Sequence, residues 1–194
     1  MVNHRTYRRR VAPAAALLAA AFAAAGCDGK SATPAVTPSA AASSAPPAPS
    51  VDPSIAAATQ AAVSAYNGYF TAYATAATTA NPDDPNLATY IGGPLLSLSR
   101  HNLRTLKAHG AVEVGDVKTR VTGSAANLKA SPPAVTIQAC VDYTDYRLVY
   151  QSNQSPVPNS ALKIKRYTTT ATVNLFADGR WRVAADTPHR TTPC

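Results

Sequence analysis

The chain has 194 residues, room for one ordinary domain with appendages. Alanine takes 41 positions and Leu, Ile, Val and Phe together only 34, while charged residues make up 14%, against about 25% in an average soluble protein. These figures exclude a large multidomain enzyme, a charge-patterned coiled coil and an acidic disordered chain, and half of the net charge of +8 comes from Arg5, Arg8, Arg9 and Arg10 alone.

Residues 1–26 have the layout of an export signal: a basic head, an apolar stretch Val11–Ala25, and a small-residue site. The stretch is shorter than the ~20 residues that span a bilayer as a helix. It ends in Ala24-Ala25-Gly26-Cys27, which resembles the lipobox of bacterial lipoproteins, departing from the pattern at Ala24, where Leu is commonest. That resemblance implies cleavage before Cys27 and a diacylglyceryl group on its thiol; two acyl chains anchor stably where one does not. Ordinary secretion with Cys27 as a spare thiol is the alternative. Arg8-Arg9 is a weak twin-arginine signal, so general secretion is the expected route. Residues 27–52 then form a tether with Pro34, Pro38, Pro46, Pro47 and Pro49 and no aromatic residue. Such a segment buries too little apolar surface to offset its ordering entropy and reaches up to ~75 Å when extended. Its Ser and Thr residues among prolines also fit a glycosylated stalk.

Residues 53–194 must hold the one fold. Asp52-Pro53 reads as a helix start, followed by Ile55, Val63, Tyr66, Phe70, Tyr73 and Ala77 at helical intervals and a stop before Asn81-Pro82. Asp84-Pro85 repeats the start signal for a short helix with Leu87, Tyr90 and Ile91. A third helix runs from the Gly92-Gly93-Pro94 break to His109, with Leu95, Leu96, Leu98, Leu103 and Leu106 inward and Gly110 as its stop. Beyond it the period becomes two. Val112, Val114, Val117, Thr119 and Val121 predict a strand interrupted at Gly115-Asp116. Val135–Tyr143 predicts a second, with the pairing period running on through Leu148 and Tyr150. Leu162–Phe176 predicts a long third strand, and Asp178-Gly179 a hairpin turn into Trp181, Val183 and Ala185. Helices first and antiparallel strands after give an α+β class.

This order resembles the NTF2-like (cystatin-like) superfold, and more narrowly the small NTF2-like domains of actinobacterial lipoproteins and secreted proteins. The residues that carry it are Tyr66, Tyr69 and Tyr73 on the first helix, the Pro94–Gly110 helix, the strand Ala139-Cys140-Val141-Asp142, and Asp178–Val183 before the last Cys. The resemblance implies amino-terminal helices packed on a curved antiparallel sheet as a cone. Enzymes of this superfold use buried acids or a His in the mouth of the cone; other members are non-catalytic, so the fold does not choose. The acids that fit here are Asp142 and Asp145, with Tyr143, Tyr146 and Tyr66 as hydrogen-bond donors. By alternation, however, Asp142 points away from the core if Val141 faces it.

With Cys27 lipidated, Cys140 and Cys194 remain as an even pair and read as a disulfide in an exported protein; a metal site or catalytic thiol is the rival, without a CxxC or CxxH neighbourhood to support it. The loop they close is worth ~4 kcal/mol in the chain-entropy model. No HExxH, GxSxG, P-loop or dinucleotide fingerprint is present. His101 and His109 lie on the third helix, His189 in a polar tail, and Glu113 is the one Glu. From Cys27 onward 14 Lys and Arg face 10 Asp and Glu. Lys163, Lys165 and Arg166 on one strand and Arg180 and Arg182 on the next form a candidate basic patch for anionic lipid or wall polymer, or a solvated sheet edge. The expectation is a membrane-anchored extracytoplasmic lipoprotein on the outer face of the cytoplasmic membrane. Its module is non-catalytic, needs no cofactor or metal and no nucleic acid, and binds an envelope protein or a small apolar ligand. The alternatives are an NTF2-like isomerase- or cyclase-type enzyme on an apolar small molecule, and a basic surface protein associating with wall polymer or anionic lipid.

Overall fold

The computed structural model describes residues 52–194; the expected signal, the lipid site at Cys27 and the expected tether up to residue 51 lie outside them. Asp52 caps the first helix, α1 (Pro53–Ala77), by accepting from the Ser54 backbone N–H at 2.8 Å and hydroxyl at 2.7 Å. Proline at the first position costs α1 nothing, because that N–H has no helical partner. The same device starts α2 (Pro85–Tyr90), where Asp84 accepts from the Asn86 N–H at 2.8 Å. Six of the eight buried residues of α1 are alanines, and Tyr66 and Phe70 are its buried bulky side chains, with Val63, Tyr69 and Tyr73 packing against the core at its edge. The third helix, α3 (Gly93–Ala108), ends with His109 as its carboxyl cap. Leu95 and Leu103 are buried along it, but Leu98 is 54% exposed, contrary to the inward position its period suggests.

The expected first strand is two strands in two sheets. β1 (Ala111–Val114) and β2 (Lys118–Asn127) are separated at Gly115, whose φ of +91° suits only glycine. A Cβ at Gly115 would also overlap the Asp145 carbonyl oxygen. The strand β3 (Ala134–Asp142) stops one residue earlier than the expected boundary. Its expected continuation is a separate strand, β4 (Arg147–Tyr150), which pairs antiparallel with β1. The long strand over 162–176 shortens to β5 (Arg166–Leu175), and β6 (Trp181–His189) returns after the Asp178-Gly179 turn. The main sheet is antiparallel in the order β2-β3-β5-β6, and β1-β4 is a small second sheet. The class is therefore α+β, as its element order predicts.

Two bulges bend the main sheet. β2 shifts register at Thr122, and β6 at Ala184, which has no partner between the pairs Thr172–Ala185 and Val173–Val183. A bulge adds one residue to one strand, bends it and reverses which side chains face inward beyond it. The core lies between the helices and the inner sheet face, where Val135, Ile137, Ala139 and Val141 meet Ala171, Val173 and Val183 and pack under Tyr66, Leu87 and Ile91. The outer face of β3 carries Cys140, which forms a disulfide with Cys194, Cα–Cα 5.8 Å. The tail is tied again where the Thr168 N–H donates to the Thr192 carbonyl at 3.0 Å.

Candidate functional site

A cavity of about 310 Å³ opens between α1, α3 and the inner face of the strands. Its helical wall follows from spacing. Tyr69 and Tyr73 are four residues apart on α1, and Leu95, Leu98 and Asn102 share one face of α3. Each strand contributes by its two-residue period: Tyr167 and Thr169 from β5, and Asp186 and Pro188 from β6, with Arg190 just beyond. Glu113 comes from β1, and Tyr143 and Tyr146 from the turn between β3 and β4.

The aromatic wall is continuous. Tyr143 stacks on Tyr167 with ring centroids 5.6 Å apart and planes 12° from parallel, and Tyr146 meets Tyr143 edge-on at 5.4 Å. The Arg190 guanidinium lies 5.2 Å from the Tyr167 ring centroid, within cation–π range. Two carboxyl groups face this wall. Burial pushes the Glu113 carboxyl above its ordinary range, partly opposed by hydroxyl donors from Tyr146 and Tyr73. Burial likewise raises Asp186, against a hydroxyl bond from Thr169 and the nearby His189. The Tyr73 and Tyr146 hydroxyls are pushed up by burial and by the Glu113 charge. Burial and Asp186 act in the same direction on Tyr66 and Tyr69. These four tyrosines therefore stay neutral hydroxyls across the physiological range. The arrangement can bind a mainly apolar body, donate hydrogen bonds from tyrosine, and hold or release protons at two carboxyls. Among the described residues, no cluster of His, Cys, Asp and Glu could hold a metal ion.

Of the residues singled out in the sequence as acids or hydrogen-bond donors, Tyr143 and Tyr146 reach the cavity, as do Tyr69 and Tyr73 of the first helix. Tyr66 does not line it; it is fully buried in the core and its hydroxyl has no partner. Asp142 and Asp145 lie outside. Asp142 shares the outer face with Cys140, accepts from the Thr144 N–H at 2.8 Å and pairs with Arg166 at 3.5 Å. Asp145 pairs with Lys118 at 2.8 Å on the surface. Asp186 is the residue that sequence reasoning missed, because unbroken alternation from Trp181 and Val183 points it outward. The bulge at Ala184 turns it in, opposite Ala171. A β-branch-free Ala-Ala-Asp run inside a strand is the one local signal, and it is weak. Glu113, the sole Glu, lay in a predicted strand, and Tyr73 and Tyr146 were singled out separately, but nothing local joined them to Glu113. His101 is exposed on α3, and His189 belongs to β6, with its Nε2 2.9 Å from the Thr170 hydroxyl, not to a loose tail.

The basic patch is not assembled. Lys163 and Lys165 precede β5 in irregular chain, and Arg166 sits at the opposite end of β5 from Asn174, the partner of Arg182. Eight residues of strand separate them by about 26 Å. Arg182 is moreover held by Asp178 through two bonds of 3.1 and 2.5 Å and lies 5.2 Å from the Phe176 ring centroid.

No family model matches the chain, and no curated protein matches it. Among solved structures, the intermembrane space region of the chloroplast protein ARC6 is similar, at 14% identity over 72% of this chain and 98% of that chain, with a TM-score of 0.44. A likeness of that degree assigns neither family nor function.

Proposed function

We propose that the chain is an exported lipoprotein, anchored through diacylglycerol on Cys27 to the outer face of the cytoplasmic membrane, whose NTF2-like domain binds a small, mainly apolar molecule without transforming it. The cavity of about 310 Å³ carries this reading: small-ligand sites are concave, mostly apolar, and hold a few convergent polar groups. The signal layout and the sequence ending at Cys27 support the anchoring, and three helices ahead of a bulged antiparallel sheet support the NTF2-like assignment. The test uses the exported chain with Cys27→Ser, so that neither acyl group nor detergent competes. The neutral fluorophore N-phenyl-1-naphthylamine should bind saturably at one site, and Ala74→Trp, which fills the cavity from α1, should weaken it at least tenfold. Absence of saturable fluorescence from the folded, oxidised chain would sink the binding reading. For the anchor, intact-mass analysis of the mature protein should find residues 27–194 plus a diacylglyceryl mass; an unmodified Cys27 overturns it.

A second reading, an isomerase- or cyclase-type enzyme, is favoured by one observation: Glu113 and Asp186 line the cavity with raised carboxyl pKa values, as proton-transfer groups require. Its test is hydrogen–deuterium exchange next to the carbonyl of 2-decalone in deuterated buffer. An enzyme of this kind accelerates the exchange and loses the effect in Asp186→Asn; exchange at the buffer rate leaves the binding module standing.

A further inference from the structure

Glu113 and Asp186 are placed unlike the other paired acids of the domain. Asp142, Asp145 and Asp178 each have a Lys or Arg partner and lie at the surface. Among the described residues, neither Glu113 nor Asp186 has a cationic group within ion-pair distance. Their surroundings are neutral: the Tyr73 and Tyr146 hydroxyls lie toward Glu113 across the cavity, and the Thr169 hydroxyl donates to Asp186. His189 lies near Asp186, but its Nε2 is engaged by Thr170. Arg190, exposed at the end of β6, spreads over Tyr167 and not onto a carboxylate. A half-buried carboxylate without a counter-charge is costly, and both of these open onto the same cavity.

The rest of the wall has the complementary chemistry. Tyrosine faces carry the negative part of the ring quadrupole and attract ammonium groups, most strongly where water is excluded. Tyr143 and Tyr167 present a stacked pair, and the Arg190 guanidinium already uses the Tyr167 ring in this way. An anionic ligand would meet two acids against the one guanidinium of Arg190, and a neutral one would leave the acids, where ionised, uncompensated. We propose that the ligand of this cavity is an organic cation, an apolar body bearing a quaternary or protonated amine, held by the tyrosine rings with Glu113 and Asp186 as its counter-charges. This rests on the binding reading above and names its ligand class.

The experiment compares benzyltrimethylammonium with neopentylbenzene, its neutral isostere, on the exported Cys27→Ser chain at pH 7.5. The cation should displace N-phenyl-1-naphthylamine at about tenfold lower concentration than the isostere. In the double variant Glu113→Gln, Asp186→Asn the two compounds should fall within about twofold of each other, with the fluorophore still bound as evidence of an intact cavity. Lowering the pH to 5 should shrink the cation's advantage, because carboxyls with raised pKa values take up protons as pH falls. The groups facing Glu113 are Tyr73 on α1 and Tyr146 before β4, and those near Asp186 are Tyr66 and Tyr69 on α1, Tyr167 on β5 and His189 on β6, with Arg190 just beyond. Burial holds Tyr66, Tyr69, Tyr73 and Tyr146 as neutral hydroxyls. His189→Gln should preserve the pH effect if the two carboxyls carry it. Equal displacement by both compounds leaves an apolar pocket and overturns the cation. Titration calorimetry with benzyltrimethylammonium separates the two claims: no heat overturns this inference whether or not the fluorophore binds.

Discussion

Glu113 and Asp186 make the domain's stability depend on pH in a definite direction. Both bind their protons more tightly in the folded chain than in the unfolded one. Their relative contribution is thus greatest below the ordinary carboxyl range and is lost as pH rises through the raised values. Glu113→Gln and Asp186→Asn should each stabilise the protein at pH 7.5, by of order 1 kcal/mol for a neutral isostere. The gain should vanish near pH 4; urea melts at the two pH values measure it, and a gain that persists at low pH contradicts the burial argument. Gly115 is the other single residue on which the site depends. Its positive φ and contact with the Asp145 carbonyl predict that Gly115→Ala destabilises by about 2 kcal/mol or more. Thermal unfolding would show it, and an unchanged melting temperature would mean that the β1–β2 junction relaxes freely.

At the level of elements, the bulge in β6 decides the site. Before Ala184 the inward residues are Trp181 and Val183; after it they are Asp186, Pro188 and Arg190. Deleting Ala184 restores unbroken alternation and turns the last part of β6 outward. Loss of fluorophore binding with retained far-ultraviolet circular dichroism is the expected result; full binding would show that the strand slips in register to compensate. The same mechanism explains what periodicity made legible. Asp-Pro starts, glycine breaks and alternation along β3 predicted those elements closely, because each is fixed by a few neighbouring residues. Periodicity marked the interruption at Gly115 but not that β1 and β2 belong to different sheets, and it missed the break at Tyr143–Tyr146 between β3 and β4, because both follow from β1 pairing with β4. The basic patch failed for a related reason: it assumed register between residues at opposite ends of a hairpin.

Over the whole molecule, the Cys140–Cys194 bond closes the largest covalent constraint among the described residues, a sequence separation of 54. The chain-entropy model gives about 4 kcal/mol for a loop of that length. Cys194→Ser should lower the urea midpoint accordingly and loosen the tail that follows β6, which carries Arg190. Equal midpoints for the oxidised and reduced wild-type protein would show that the unfolded chain is already compact. The sequence by itself determined the composition break at residue 52, the helix starts and the α+β class, because caps, turns and period are local or countable, and it offered Cys140 and Cys194 as a pair once Cys27 is set aside. Alternation already pointed Asp142 outward, but only the tertiary structure decided that Glu113 and Asp186 belong to the cavity. That choice depends on whether Ala184 goes unpaired in β6 and on the antiparallel partner of β1, and both are set by pairing with distant strands.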